Sequence, residues 1–392
     1  MEADIREKLV AFTERHAAEQ LQFLIDLSRQ NSYTYNKAGT DRLAELILSK
    51  IGGLFPSHRV AEQAEVGNHH VLSSAAGRKS ICVLGHMDTV FPPEHPFRDC
   101  RLEGDRLHGP GTGDMKAGLA TIVYAILALK EAGLFEAIPL TIVLGGDEEV
   151  GSVTSRPVYE AERGNALACL VIEGAGPAGE IVVSRNGKAG IRVECHGQDR
   201  HVGSGTHEKS SAVLELAHKT IALETLNSTL PGVSLNVGKI EGGLGPATIP
   251  AQASAMLDVR WVEQAHRDAL IESIAAVVST VEQPGCRSEF TILNERPAMP
   301  ENEATRRLAE LVQQAGAELG QTIGLEHRRG TSDANFFGAF GVPTVDGVGP
   351  ICKGYHTPEE FVFVPSIKER TALLATALVS IGRHLPGMAS RP

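Results

Sequence analysis

The first part of the chain alternates short, wholly apolar runs with a longer stretch of helical period. Residues 80–85 (Ser-Ile-Cys-Val-Leu-Gly) and 140–144 read as buried parallel strands, since a strand covered on both faces shows a continuous apolar run rather than alternation. Between them, 116–132 has few breakers and carries Leu119, Ile122, Val123, Ile126 and Leu129 at the spacing of one helix face. Strand, helix, strand in that order predicts an α/β domain with a largely parallel sheet. From about Gly187 the pattern changes: 191–195 and 233–240 read as strands, 251–261 alternates, and helical stretches cover 210–226 and 265–281. That mixture predicts a smaller α+β insert. After Arg296-Pro297 the α/β pattern returns with an amphipathic helix over 305–319, a glycine-rich turn and a final helix near 366–384. The predicted organisation is a catalytic domain in two parts, 1–186 and 298–392, interrupted by an insert over 187–297.

Length supports two domains, because 392 residues exceed what one core usually holds. A net charge of −11 without any long Lys/Arg run argues against nucleic acid as a partner. The first residues carry acids where a secretory signal has basic ones, and no uninterrupted apolar run approaches the roughly 18–20 residues that span a bilayer. Six cysteines lie scattered without a CxxC pair, which fits reduced thiols. These features together predict a soluble, cytoplasmic protein.

The candidate chemistry sits where the apolar runs end. His86-Met-Asp88 follows the 81–84 strand, and open α/β sheets place their sites at strand carboxyl ends. Alternate residues of an extended segment face the same way, so Asp88 can accept the second ring N–H of His86 and fix its tautomer. The stretch 109–118 (Gly-Pro-Gly-Thr-Gly-Asp-Met-Lys-Ala-Gly) is a glycine-rich turn into a helix with Asp114 at the bend, and its spacing fits neither phosphate-loop pattern. Asp147-Glu148-Glu149 follows the 140–144 strand, and Glu173 follows the apolar run 168–172. Three adjacent acids repel one another and read blandly as a solvated loop; directly after a buried strand they fit a site with cations to neutralise. His356, in Gly354-Tyr-His-Thr-Pro-Glu359, stands in a polar turn and would pass for a surface histidine on its own. Two imidazoles and three carboxylates are about what a pair of adjacent divalent ions needs.

With these motifs in that order, from about Ile81 to Val364, the sequence resembles the di-zinc peptidase family that includes bacterial folate-hydrolysing glutamate carboxypeptidase, acetylornithine deacetylase and succinyl-diaminopimelate desuccinylase. The resemblance implies that His86, Asp114 and Glu173 hold one metal ion and Asp114, Glu149 and His356 the other, with Asp114 bridging. It implies Glu148 as general base, Asp88 as an orienting residue and a cis peptide at Asp114–Met115. It makes the insert a lid and dimer interface, so that a homodimer or a higher oligomer is expected. Within that insert, His201 matches the family histidine that reaches a neighbouring subunit's site to stabilise the oxyanion. Arg260 matches an arginine that grips a substrate carboxylate, and Gly330, Thr331 and Ser332 match a glycine-rich loop near the substrate. One position departs from the pattern: Ala247 stands where an asparagine usually precedes Ile-Pro.

The resemblance implies metal-activated hydrolysis of an amide C–N bond of a small-molecule substrate, of the carboxypeptidase or N-acyl-amino-acid deacylase type. Zinc is the first expectation for the metal, with manganese and cobalt as alternatives. Ala247 keeps open a second reading, a non-peptide C–N bond such as that of an aryl amine or xenobiotic amide. A third, a catalytically inactive binding relative, would be marked by a lost ligand or base, and none is lost.

Overall fold

A computed structural model describes residues 3–204 and 209–388. The chain forms two compact units, one made of the residues up to Ser184 with Glu301–Arg328 and the segment from Ser332 on, the other of Arg185–Pro300 with Arg329–Thr331.

The first unit is built on a six-stranded sheet in the order Ser57–Ala61, His69–Ser73, Leu140–Gly145, Ser80–His86, Ala166–Val171 and Thr344–Val345. The last four run parallel and the two outer strands antiparallel, which makes the sheet mostly parallel. Every residue of Ser80–His86 and Leu140–Gly145 is buried, as continuous apolar runs require of central strands. Register does the rest of the positioning. His86 pairs with Gly145, and Leu84 pairs with Val171, so His86 and Glu173 each lie two residues past one rung. The acidic run 147–149 begins two residues past Gly145 on the adjacent strand. Three chemistry-bearing segments thus leave the sheet at one edge level.

The helix Ala117–Glu131 is apolar all round rather than amphipathic, because it is covered on every side. The stretch Thr112–Glu131 contains an 18-residue run with the mean hydropathy of a membrane span despite Asp114 and Lys116, and 89% of that run is buried inside the unit. It is a core helix, packed against the long C-terminal helix Val364–Met388. Gly118 is required there: a Cβ at this position would stand 2.1 Å from the Ile172 carbonyl oxygen. A small second sheet joins Arg101–Glu103, Arg106–His108, Phe361–Phe363 and Cys352–Lys353.

The second unit is an antiparallel sheet in the order Val233–Gly242, Gln252–Trp261, Gly187–His196, Arg287–Arg296. Helices Ala212–Thr229 and Gln264–Ser279 cover one face, where Ile191, Val193, Leu257 and Val259 meet Leu216, Leu223, Leu270 and Ile274. The strand Arg287–Arg296 escaped the sequence reading because its alternation runs between half-buried and exposed positions, with no strong apolar signal. Ser57–Ala61 escaped it too, since four of its five residues are exposed.

Candidate metal centre

His86 ends its strand fully buried, at 1% side-chain exposure. Its Nδ1 lies 3.0 Å from the Asp88 carbonyl oxygen and 3.4 Å from the Asp88 carboxylate. Both neighbours are acceptors, so Nδ1 carries a proton, and Nε2 is the nitrogen that a cation can take once its own proton is displaced. The stronger contact is to the Asp88 main chain, where the sequence had suggested the carboxylate. That carboxylate is committed elsewhere: Oδ1 accepts from Glu148 N at 3.0 Å, and Oδ2 accepts from Glu149 N at 3.1 Å and from Thr34 Oγ1 at 2.7 Å. Asp88 therefore fixes the turn that presents the two glutamates.

His86 Nε2 faces Asp114 Oδ1 at 3.0 Å and Glu173 Oε1 at 3.4 Å. His356 Nε2 faces Asp114 Oδ2 at 3.0 Å and Glu149 Oε2 at 3.0 Å. The donor atoms thus fall into two groups that share one aspartate through different oxygens. Tetrahedral ligands about 2.0–2.1 Å from an ion stand about 3.3 Å from one another, and the imidazole-to-carboxylate distances here, 3.0 and 3.4 Å at His86 and 3.0 Å at His356, lie close to that. His86, Asp114 and Glu149 also offer ligand atoms that all lie within 4.8 Å of one another. Glu149 Oε1 is buried with no hydrogen-bond partner, the condition of a carboxylate oxygen waiting for a cation. The residues fit divalent metal.

The electrostatics agree. Burial raises Glu149 to about 8 and Glu173 to about 7, in each case aided by the Asp114 charge. His356 rises to about 11 because Asp114 and Glu149 accept from it. Burial pushes His86 down, but Glu173, Asp114 and Asp88 together lift it well above its ordinary value. Protons stand in for positive charge that this many carboxylates demand. Asp147 is not part of the cluster: it is 1% exposed, and its Oδ2 accepts from Thr154 N at 2.6 Å and Thr154 Oγ1 at 2.8 Å. The acidic run is relieved by pointing its first member inward. The Asp114–Met115 peptide is cis.

The other predicted residues belong to one unit or the other. Ser332 is 2% exposed and donates its hydroxyl to Asp346 Oδ2 at 2.6 Å, so that side chain anchors its loop within the first unit. His201, Arg260, Gly330 and Thr331 belong to the second unit. His201 is exposed and pairs with Thr248; its Nδ1 accepts from Gly203 N at 3.1 Å, which leaves Nε2–H as an outward donor in the neutral ring. Arg260 donates to Asp258 Oδ1 at 2.8 Å and to the Arg329 carbonyl at 3.1 Å, and the Gly330 carbonyl accepts from Arg185 at 3.0 Å. Ala247 accepts from Val202 N at 3.0 Å, beside the His201–Thr248 pair.

Sequence reasoning missed two residues. Thr34, in the turn before the helix Lys37–Ile51, holds Asp88. Glu360 is 1% exposed, and its carboxylate accepts from Gly111 N at 3.2 Å, Gly113 N at 2.7 Å and Asp114 N at 3.0 Å. Nothing local marks Thr34; Glu360 lies four residues after His356, and a second acid so close to a candidate ligand is the one signal that could have raised it.

A mostly parallel α/β sheet with imidazoles and carboxylates converging at its strand ends is the architecture of a metal-dependent hydrolase. The chain belongs to Peptidase family M20/M25/M40, whose model matches residues 82–380. It is 25% identical over 371 residues to carboxypeptidase G2 of Pseudomonas sp. (strain RS-16), covering 92% of this chain and 88% of that one. It is 27% identical over 375 residues to the succinyl-diaminopimelate desuccinylase of Gluconobacter oxydans, covering 91% and 96%. Its fold matches aminopeptidase PepT of Bacillus cereus with a TM-score of 0.74 at 21% identity, over 93% of this chain and 98% of that one. The M20 family metallo-carboxypeptidase Sso-CP2 of Sulfolobus solfataricus matches with a TM-score of 0.70 at 17% identity, over 92% and 99%. The protein is a hydrolytic enzyme of the metallopeptidase and amidohydrolase type, and its reaction is metal-dependent amide hydrolysis.

Proposed function

We propose a dinuclear hydrolase that cleaves the amide C–N bond of a small substrate, of the carboxypeptidase or N-acyl-amino-acid deacylase type, with Glu148 as general base. The observation that carries this reading is Asp114, whose two oxygens lie against His86 and His356 separately. His86, Asp114 and Glu173 would hold one ion and Asp114, Glu149 and His356 the other, zinc first, with manganese and cobalt as alternatives. Such ions supply polarisation of the scissile carbonyl and acidification of water. Glu148 takes the proton of the attacking water and passes it to the leaving amine. Its main-chain N–H is pinned by Asp88 Oδ1, which supports a fixed approach. From the resemblance, His201 of a second copy donates Nε2–H to the oxyanion, Arg260 grips a substrate carboxylate, and main-chain groups of Gly330 and Thr331 line the substrate.

A homodimer through the second unit is supported by the ten-residue edge strand Val233–Gly242 and by exposed apolar side chains there, Ile240 at 55% and Ile221 at 70%. All six cysteines are free thiols, which supports a cytoplasmic setting. A second reading, a non-peptide C–N bond such as that of an aryl amine or xenobiotic amide, rests on Ala247, which brings no side-chain amide to the segment paired with His201.

The test is a screen of acyl-amino acids, dipeptides and aryl amides with zinc-, manganese- and cobalt-loaded protein, read for released amine, followed by Glu148→Gln. Loss of about 10²–10⁴-fold in kcat with unchanged metal content is expected. Full turnover by the metal-loaded variant removes Glu148 from the mechanism.

A further inference from the structure

The bridging carboxylate and one imidazole come from two loops outside the central six-stranded sheet. Asp114 sits in the turn 109–116, where Gly111 has φ +73° and Asp114 and Met115 depart from helical angles. His356 sits in the turn after Cys352–Lys353 with φ +61°, a left-handed conformation that a non-glycine residue rarely adopts. Such turns leave N–H groups without ladder partners, and those groups need acceptors. In the first turn, three of them converge on one side chain, Glu360, which closes the His356 turn. Oε1 takes Gly113 N and Asp114 N, and Oε2 takes Gly111 N. Immediately after it, Phe361–Phe363 pairs with Arg106–His108, the strand that leads into the Asp114 turn. The space is filled: a Cβ on Gly113 would stand 3.3 Å from Glu360 Oε1 and 3.0 Å from the Cys352 Cβ.

His86 needs none of this. It ends a buried central strand, and its Nδ1 is held by the Asp88 main chain. Glu149 is held through its own N–H by Asp88 Oδ2. The groups that depend on Glu360 are Asp114 and, through the loop it closes, His356, which together face each other at 3.0 Å.

We propose that Glu360 is a positioning residue that sets the Asp114–His356 spacing and thereby governs occupancy of the ion position formed by Asp114, Glu149 and His356 more than that of the His86 side, which shares Asp114 but keeps His86 and Glu173 at the ends of central strands. This rests on the dinuclear reading above. A carboxylate is required because all three partners are donors; an amide presents NH2 to one or more N–H groups, and the loops separate at that point.

The experiment titrates the metal-free full chain with Mn2+ and Zn2+, reading binding by calorimetry and bound metal by elemental analysis. Samples are wild type, Glu360→Gln, Glu360→Asp and His356→Ala, with near-ultraviolet circular dichroism to check folding. The wild type takes two equivalents. Glu360→Gln weakens the second equivalent about 10–100-fold, the range for groups that orient metal ligands, and changes the first by less than about threefold. His356→Ala marks the position by removing the same equivalent. At saturating metal the kcat of Glu360→Gln recovers toward wild type, a recovery that general unfolding would not give. Glu360→Asp, which keeps the charge and loses reach, shows the same selective weakening and serves if the glutamine variant does not fold. A second equivalent of wild-type affinity in a folded variant overturns the proposal, and so does equal weakening of both. One equivalent in the wild type itself would instead overturn the dinuclear reading.

Discussion

His86 and His356 present the same ring nitrogen to the two oxygens of one aspartate, each at 3.0 Å, yet they are built in opposite ways. The first is 1% exposed at the end of a central strand; the second is 53% exposed in a left-handed turn. One half of the centre inherits its geometry from the sheet register, and the other has to be assembled from loops. A centre made this way has a rigid side and a side whose ligand affinity depends on remote hydrogen bonds.

The largest effect expected from that asymmetry is on metal retention. A graded chelator series on the loaded protein should abolish amide hydrolysis at its end, and manganese, zinc or cobalt should restore it. Before that point metal loss should be biphasic, with the ion on the His356 side leaving first. Elemental analysis and activity on the same samples would follow it, and His356→Ala should lack the early phase. Loss of both ions in a single step, with the early phase absent from the wild type, would erase the distinction between the two sides.

A smaller effect concerns the metal-free fold. His86→Ala removes a buried ring and leaves the Asp88 carbonyl without its donor, which costs roughly 1–3 kcal/mol. His356→Ala should cost less, about 1 kcal/mol or below, because the ring it removes is itself half exposed, at 53%. Urea unfolding of the chelated variants at pH 7 separates the two. Equal losses would mean that the exposed turn is as tightly integrated as the strand.

The same division decides what could be read from the sequence. The rigid side was legible: a buried strand announces itself as an apolar run, and a His or Glu just beyond its end is conspicuous against that background. Register then delivered Glu173 beside His86 as the alternation of strand and helix implied. On the loop side Asp114 was marked by its glycine-rich turn, but His356 in a polar turn has no local feature that separates it from a surface histidine and was legible only as a member of the whole set. Glu360 was invisible for a further reason. Its partners are main-chain N–H groups some 250 positions earlier, and main-chain donors leave no trace in side-chain identity. The edge strands Ser57–Ala61 and Arg287–Arg296 were missed because solvent on one or both faces removes the hydrophobic pattern that marks the central ones.

The smallest effect is on pH dependence, and it follows from protons that metal must displace. His356 is raised to about 11 in the folded metal-free chain, so its pairing contributes stability that is complete below its unfolded value of about 6.5 and lost as pH rises through 11. Glu149 is raised to about 8 by burial; being harder to ionise when folded, it also makes the metal-free fold less stable as pH climbs from about 4.5 to 8. Both signs agree. On the ligand assignment proposed above, the same groups are deprotonated in the loaded protein, and rising pH removes a competitor for metal rather than a stabilising proton. The difference in melting temperature between loaded and chelated protein should therefore widen from pH 6 to pH 9, with protons released on binding. Calorimetry in buffers of different ionisation enthalpy measures that release, and His356→Ala should reduce it more than it changes the melting temperature of the chelated chain. A gap that narrows with pH would mean that the carboxylates and imidazoles of this centre are already deprotonated without metal, and that the loop side is set by something other than the charge it gathers.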